Sequence, residues 1–91
     1  MEGGKTMQEL KYVIVDELGI HARPAGLLVK TTGKFSSQIT IQKGNIKNDA
    51  KSIIGVMTIG AKKGDEITLT CEGTDELEAS EAIQAFLTEN L

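Results

Sequence analysis

The sequence predicts an α+β fold in which helices cover one side of a sheet, and the sheet's strands are antiparallel or mixed. Segments with alternating polar and apolar residues indicate strands that bury one face. Segments with apolar residues three and four positions apart indicate helices. These segments follow the order β-α-β-β-α-β-α along 91 residues, a length that suits one small domain.

The first half of the chain predicts a strand, a helix and a hairpin. Glu9 to Val15 is rich in β-branched residues and predicts the first strand. The first helix is expected from about Ala22 to about Thr32, with Gly33 as its stop. Gln38 to Gln42 alternates as a strand does. A glycine-asparagine turn then leads into a short antiparallel strand from Ile46 to Asp49.

The first helix is expected to contact the core with one part of its surface. Leu27, Leu28 and Val29 are the residues that supply apolar surface. The small residues Ala22 and Ala25 are expected to lie close to the sheet.

The second half of the chain predicts a short helix, a strand and a long helix. Ser52 to Ile59 is short and apolar, begins with a good N-cap and is followed by glycine, so it predicts a helix. A buried strand remains the alternative for this segment. Glu66 to Cys71 alternates cleanly as a strand. A final helix is expected from about Asp75 to Glu89, capped by Thr74 or Asp75, with one apolar face.

Composition and charge exclude several classes of function. The net charge of −3 and the three aromatic residues argue against direct nucleic-acid binding. No apolar run is long enough for a membrane span, and no secretory signal is visible. The single cysteine suits a reducing compartment, so a soluble, cytoplasmic protein is expected. Residues 1–6 are interpreted as a flexible extension or tag before one domain at residues 7–91.

The only His, Arg and Pro of the chain fall within four positions, as His21, Arg23 and Pro24. They stand where a loop becomes a helix, and the first amides of a helix attract anions because they have no internal partner. An unprotonated ring nitrogen is the form of histidine that attacks phosphorus, and the positive helix end and the guanidinium stand beside His21 in the chain. Once phosphorylated, the same groups bind the phosphoryl oxygens.

The site therefore predicts a residue that receives a phosphoryl group. A phosphohistidine bond is labile, which favours a carrier over an enzyme. The sequence contains no nucleotide-binding glycine loop and no metal-ligand set, so no cofactor and no metal are expected. On the residues alone, the alternative remains that His21 is a surface helix cap and Arg23 a solvated charge.

Two motifs add a family resemblance. Gly-Ile-His-Ala-Arg-Pro-Ala stands at Gly19 to Ala25, and Lys-Ser-Ile-Ile-Gly-Val-Met-Thr-Ile-Gly stands at Lys51 to Gly60. In sequence, order and separation, both resemble the histidine-containing phosphocarrier (HPr) family of the bacterial sugar phosphotransferase system. The resemblance covers about Met7 to Leu91. It implies an open-faced β-sandwich, with a four-stranded antiparallel sheet and three helices on one face.

The resemblance also implies a role for each residue of the first motif. His21 would accept a phosphoryl group on Nδ1 from phosphorylated Enzyme I and donate it to the IIA domains of sugar permeases. Arg23 would steer the phosphate. A monomer without membrane insertion is expected, and a carrier devoted to nitrogen regulation is a minor alternative. The strand content argues against a helical phosphotransfer domain of two-component signalling.

The second motif implies regulation and docking. Ser52 matches the serine that an HPr kinase/phosphorylase modifies, whose product is a corepressor partner of a catabolite-control transcription factor. A regulatory binding module that acts through phospho-Ser52 is therefore the alternative function. Ile53, Ile54 and Met57 are expected to remain partly exposed and to dock partners. The chain departs from the family pattern at Gly26, where a larger residue is usual.

Overall fold

The computed structural model describes residues 7–91 and contains the predicted order of elements. The predicted N-terminal extension, residues 1–6, lies outside the described residues. The strands are β1 (Gln8–Val13), β2 (Gln38–Lys43), β3 (Ile46–Asp49) and β4 (Glu66–Glu72). The helices are α1 (Ala22–Thr32), α2 (Ile53–Thr58) and α3 (Glu76–Asn90).

The four strands form one antiparallel sheet in the order β1-β4-β2-β3. The mixed alternative is therefore wrong, and the open-faced sandwich is confirmed. The central strand β4 shows why one face is covered: Ile67, Leu69 and Cys71 are fully buried in the core. Thr68 and Thr70 alternate with them and are only partly buried on the other face.

The first strand ends earlier than predicted. Ile14 and Val15 were expected to continue the strand from Glu9, but β1 runs from Gln8 to Val13. The amides of Val15 and Asp16 instead donate to the backbone oxygen of Leu91, at 2.6 and 2.8 Å. These two bonds tie the chain after β1 to Leu91, the residue that follows α3.

The first helix begins and ends where predicted, but its buried face is narrower than its composition indicates. Leu28 is fully buried, whereas Leu27 is 43% exposed and Val29 is partly buried. Ala22 was expected near the sheet and is exposed. One helical face carries the buried side chains, which are those of Pro24, Ala25, Leu28 and Thr32.

The ambiguous apolar segment after Lys51 is a helix, so the buried-strand alternative is wrong. Val56 and Ile59 are buried three positions apart, which is helical spacing. Gly55 lies over β3, where a Cβ atom would come within 2.9 Å of the backbone oxygen of Asp49. This close approach brings α2 down onto the end of the sheet.

The last helix completes the core. Its predicted apolar face is buried at Ala79, Ile83 and Leu87. Asp75 occupies the N-cap position but does not cap the helix through its side chain. Its carboxylate instead accepts hydrogen bonds from the residues that precede β2, which tie the α1–β2 loop to the start of α3. These donors are the hydroxyl and amide of Ser37 and the amide of Ser36.

Candidate functional site: a histidine at the start of α1

The loop between β1 and α1 is shaped by its own hydrogen bonds. Asp16 accepts from the amide of Leu18 through its carboxylate (3.0 Å) and from the amide of Gly19 through its backbone oxygen (3.1 Å). An aspartate that bonds two residues ahead forms a compact turn. The turn brings the chain back to the start of α1.

A contact with the segment after α2 fixes the last residues of this loop. The amide of Ile20 donates to the backbone oxygen of Ala61 at 3.0 Å. Gly19 has φ +66°, and a Cβ atom there would lie 2.5 Å from the same oxygen. Only glycine fits this position, because it accepts the left-handed conformation and leaves space for Ala61.

Two of these positioning residues were not identified from the sequence. Ala61 and Leu91 act through their backbone oxygens, on the amides of Ile20 and of Val15 respectively. A backbone acceptor leaves no signal in residue type, so no sequence pattern points to them. The loop before the histidine is thus held from both the α2 side and the α3 side.

His21 is the N-cap residue of α1. Its backbone is extended (φ −125°, ψ −172°), and its carbonyl accepts from the amide of Ala25 at 3.0 Å. Its side chain makes no capping hydrogen bond, and no other group within residues 7–91 hydrogen-bonds to the imidazole. The helix-cap alternative therefore applies to the backbone of His21 only, and the partly exposed ring nitrogens are available for chemistry.

The first turn of α1, which follows His21, carries groups that can bind an anion. The amides of Ala22 and Arg23 stand in the first turn of α1, where no intrahelical acceptor exists. Pro24 has no N–H to leave unsatisfied and is buried. The exposed Arg23 forms no salt bridge with any described carboxylate. The start of α1 can thus bind a phosphate-like anion with backbone amides and one guanidinium.

Ser52 has the geometry predicted for an N-cap. Its Oγ accepts from the amide of Gly55 at 3.0 Å, and its carbonyl accepts from Val56 at 2.9 Å. Ser52 is partly buried, and it stands at the N-terminal end of α2. The oxygen keeps a lone pair and a proton for reaction.

The three predicted docking residues form an exposed apolar surface on α2, which we call the α2 patch (Ile53, Ile54 and Met57). Ile54 is 77% exposed, and Ile53 and Met57 are each more than 40% exposed. Val56 on the same helix is fully buried, so packing in the core does not explain the exposed residues. These three side chains thus give α2 an exposed apolar surface.

Within the described part of the chain, no helix is long and apolar enough to cross a membrane. Among residues 7–91, no three His, Cys, Asp or Glu side chains group as a metal ion requires.

The chain is similar to known phosphocarrier proteins. Residues 8–89 match the family model described as "PTS HPr component phosphorylation site". The phosphocarrier protein HPr of Mycoplasma pneumoniae is 42% identical over 82 residues, which cover 89% of this chain and 93% of that protein.

Solved structures of similar proteins have the same fold. The HPr of Thermoanaerobacter tengcongensis superimposes with a TM-score of 0.86 at 44% identity, covering 90% of this chain and 92% of that one. The Bacillus subtilis catabolite repression protein Crh, described as an intertwined dimer with a swapped domain, has a TM-score of 0.74 at 38% identity. That match covers 84% of this chain and 87% of Crh.

Proposed function

This chain belongs to the HPr family of phosphocarrier proteins, and on that basis we propose that His21 accepts a phosphoryl group from phosphorylated Enzyme I and passes it to IIA domains of sugar permeases. The observation that carries this proposal is the imidazole itself, which no described group engages, beside unpartnered helix amides. The carrier works in the cytoplasm, as a monomer in each transfer, and needs no cofactor.

In the transfer, a lone pair on Nδ1 of His21 attacks phosphorus. A new P–N bond forms as the P–N bond to the donor breaks, and the donor ring keeps the electron pair. The amides of Ala22 and Arg23 and the guanidinium of Arg23 stabilise the phosphoryl oxygens during and after transfer. In the onward transfer the acceptor attacks phosphorus, and Nδ1 of His21 keeps the electron pair of the P–N bond that breaks.

The proposal is tested by incubating the protein with Enzyme I and phosphoenolpyruvate. We expect one phosphate that is labile in acid and stable in base. His21→Ala should abolish it while circular dichroism shows an intact fold. Labelling that persists in this variant would refute the assignment.

Arg23 is tested separately, because it should act on the rate of transfer. Arg23→Ala should slow both phosphorylation and onward transfer without unfolding the domain. Lys30→Ala is the matched control, since it removes an exposed cation from the last turn of the same helix. Equal effects of the two substitutions, or a large loss of thermal stability in the first, would contradict a phosphate-binding role.

A regulatory role of Ser52 is the second candidate. The favouring observation is a partly buried serine hydroxyl that caps α2 directly beside the exposed α2 patch. A phosphoryl group on Ser52 would place up to two negative charges where partners dock. We expect an HPr kinase/phosphorylase with ATP to form an acid-stable phosphate at this serine, and the product to bind a catabolite-control transcription factor.

The matched variant for this test is Ser52→Asn, because asparagine also caps helices. It should keep the stability of the domain and remove the acid-stable phosphate. Phosphorylation of the asparagine variant would place the modification elsewhere. Formation of the acid-labile phosphate at His21 provides a readout that is independent of Ser52.

The α2 patch is proposed to dock these partners. Ile54→Ser should raise the KM for transfer to and from partners with little change in folding stability, because Ile54 is mostly in solvent. Leu77→Ser is the control, since Leu77 is also more than half exposed but lies on α3. A KM that is unchanged by Ile54→Ser, or raised equally by both substitutions, would contradict docking on α2.

A further inference from the structure

The strand β1 is an edge of the sheet, and its hydrogen-bonding directions can be assigned. Ile14, just after β1, donates to the oxygen of Asp65 and accepts from the amide of Gly64. Val15 points the opposite way, since its amide bonds to Leu91. Directions alternate along a strand, so odd-numbered residues of β1 direct their N–H and C=O groups away from β4.

The outward backbone groups of β1 therefore belong to Glu9, Lys11 and Val13. None of them bonds to a helix or loop within residues 7–91. A row of free backbone donors and acceptors is a template for another strand. Leu91 ends the row, because it already occupies the amide of Val15.

The side chains of β1 are complementary to a second copy of the same strand. If two β1 strands pair antiparallel about a twofold axis at Leu10, Glu9 of each copy lies opposite Lys11 of the other. The exposed Met7 and Val13 then lie opposite each other as well, with Leu10 opposite Leu10 on the core side. Opposite charges and apolar pairs directly across a pair of strands are stabilising.

The other edge of the sheet, β3, is shorter. The strand β3 has only four residues, against six in β1, and a self-pairing that keeps the side chains on matching faces would place Lys47 opposite Asp49. The side chain of Asn48 is already bound to the oxygen of Gly55 in α2. The strand β1 is thus the longer edge and offers more outward backbone groups to a second strand.

There is also space beside β1 on the core side. A groove of about 440 Å³ lies between β1 and α3, lined on the strand by Gln8, Glu9 and Leu10 and on the helix by Ser80, Glu81, Gln84 and Ala85. A second β1 strand in this register would bring its own Leu10 and Tyr12 to the mouth of the groove. These two side chains face the core side of their own sheet.

We propose that two copies of this chain associate edge to edge through β1, antiparallel about Leu10, and form one continuous eight-stranded sheet. Glu9 of one copy lies opposite Lys11 of the other, and both direct their N–H and C=O groups outward. Each of the two Glu9–Lys11 pairs therefore forms two backbone hydrogen bonds between the copies. One strand from each copy buries less than the roughly 1,200 Å² of a standard interface, so the dimer is transient. This association is separate from the transfer chemistry of His21.

A charge exchange tests the proposal. Glu9→Lys and Lys11→Glu should each abolish self-association, because each sets like charges opposite each other twice. An equimolar mixture of the two variants should regain it, since every pair is again of opposite sign. Sedimentation equilibrium and dilution-dependent amide shifts, from micromolar to millimolar concentrations, measure the association. Lys47→Glu makes the same charge change on β3 and should leave the association unchanged.

Intermolecular contacts test the proposed register of the two β1 strands. In a dimer of labelled and unlabelled chains, intermolecular NOEs are expected between the two Leu10 side chains and between Met7 and Val13. A wild-type chain that stays monomeric at millimolar concentration would overturn the proposal, as would a mixture that does not regain association. Intermolecular NOEs between β1 of one copy and Thr70 of the other would also overturn it, because they indicate exchange of β1 between copies.

Discussion

Replacing Gly26 with alanine should stabilise the domain. Gly26 stands in the interior of α1, and a Cβ atom built there has no neighbour within 4 Å. Glycine in a helix interior costs about 1 kcal/mol relative to alanine, mainly because it has more backbone freedom to lose. With no steric cost to offset this gain, we expect the free energy of unfolding to rise by about 1 kcal/mol. For a domain of this size, that corresponds to about 4–8 °C in Tm.

The same substitution at Gly55 provides the matched contrast. Gly55 is also helical, but a Cβ atom there would lie 2.9 Å from the oxygen of Asp49 and 3.3 Å from the Cβ of Ser52. The first contact is with backbone, which cannot move aside without shifting α2 from β3. Gly55→Ala should therefore lower the free energy of unfolding although its helix propensity rises equally.

Urea and thermal unfolding of both variants, followed by circular dichroism, measure the two effects. Gly26→Ala should shift the midpoint without changing the slope of the urea transition, because the surface exposed on unfolding is nearly the same. An unchanged or lowered midpoint in Gly26→Ala, or a raised midpoint in Gly55→Ala, would refute this reasoning.

Three further predictions concern acid stability, the loop before the histidine and the core. The hydrogen bonds from the Ser37 hydroxyl and the loop amides lower the pKa of Asp75 from 3.8 to about 2, so their contribution is present above pH 4 and lost as the pH falls to 2. Asp75→Asn should flatten this part of a plot of stability against pH, and an equally steep loss in the variant would contradict the assignment. Gly19→Ala should slow phosphoryl acceptance at His21 in the Enzyme I assay, since it forces the loop away from Ala61; an unchanged rate would show that the loop tolerates the shift. Leu28→Ala should lower the free energy of unfolding by about 2–5 kcal/mol in urea titrations. Leu27→Ala on the exposed side should change it by less than about 0.5 kcal/mol, and similar losses would contradict the burial of α1.

Local patterns predicted most of the elements because they depend on residues a few positions apart. The bounds of α1 follow from its Pro at the third helical position and its terminal Gly33, and those of β3 follow from the preceding turn. The alternation of Glu66 to Cys71 is confirmed residue by residue in β4. The errors lie where a distant part of the chain intervenes, as Leu91 does at the end of β1.

The candidate site also has one part that the sequence predicted and one part that it did not. The chain contains one His, one Arg and one Pro, at positions 21, 23 and 24, so their chemistry could be predicted without a structure. The groups that hold them are backbone oxygens, which every residue type carries. Nothing in the residues at positions 61 and 91 distinguishes them as anchors for the loop before α1.

The order and type of the elements, the place of the histidine at a helix start and the N-cap role of Ser52 could all be predicted from the amino-acid sequence. Three features required the folded chain: β1 is an edge strand, Ile54 is exposed while Val56 is buried, and two distant backbone oxygens fix the approach to His21. The difference lies in how far apart along the chain the interacting residues are. Helix and strand periodicity arises between near neighbours along the chain, whereas strand order, burial and loop anchoring arise between segments that meet only when the whole chain is packed.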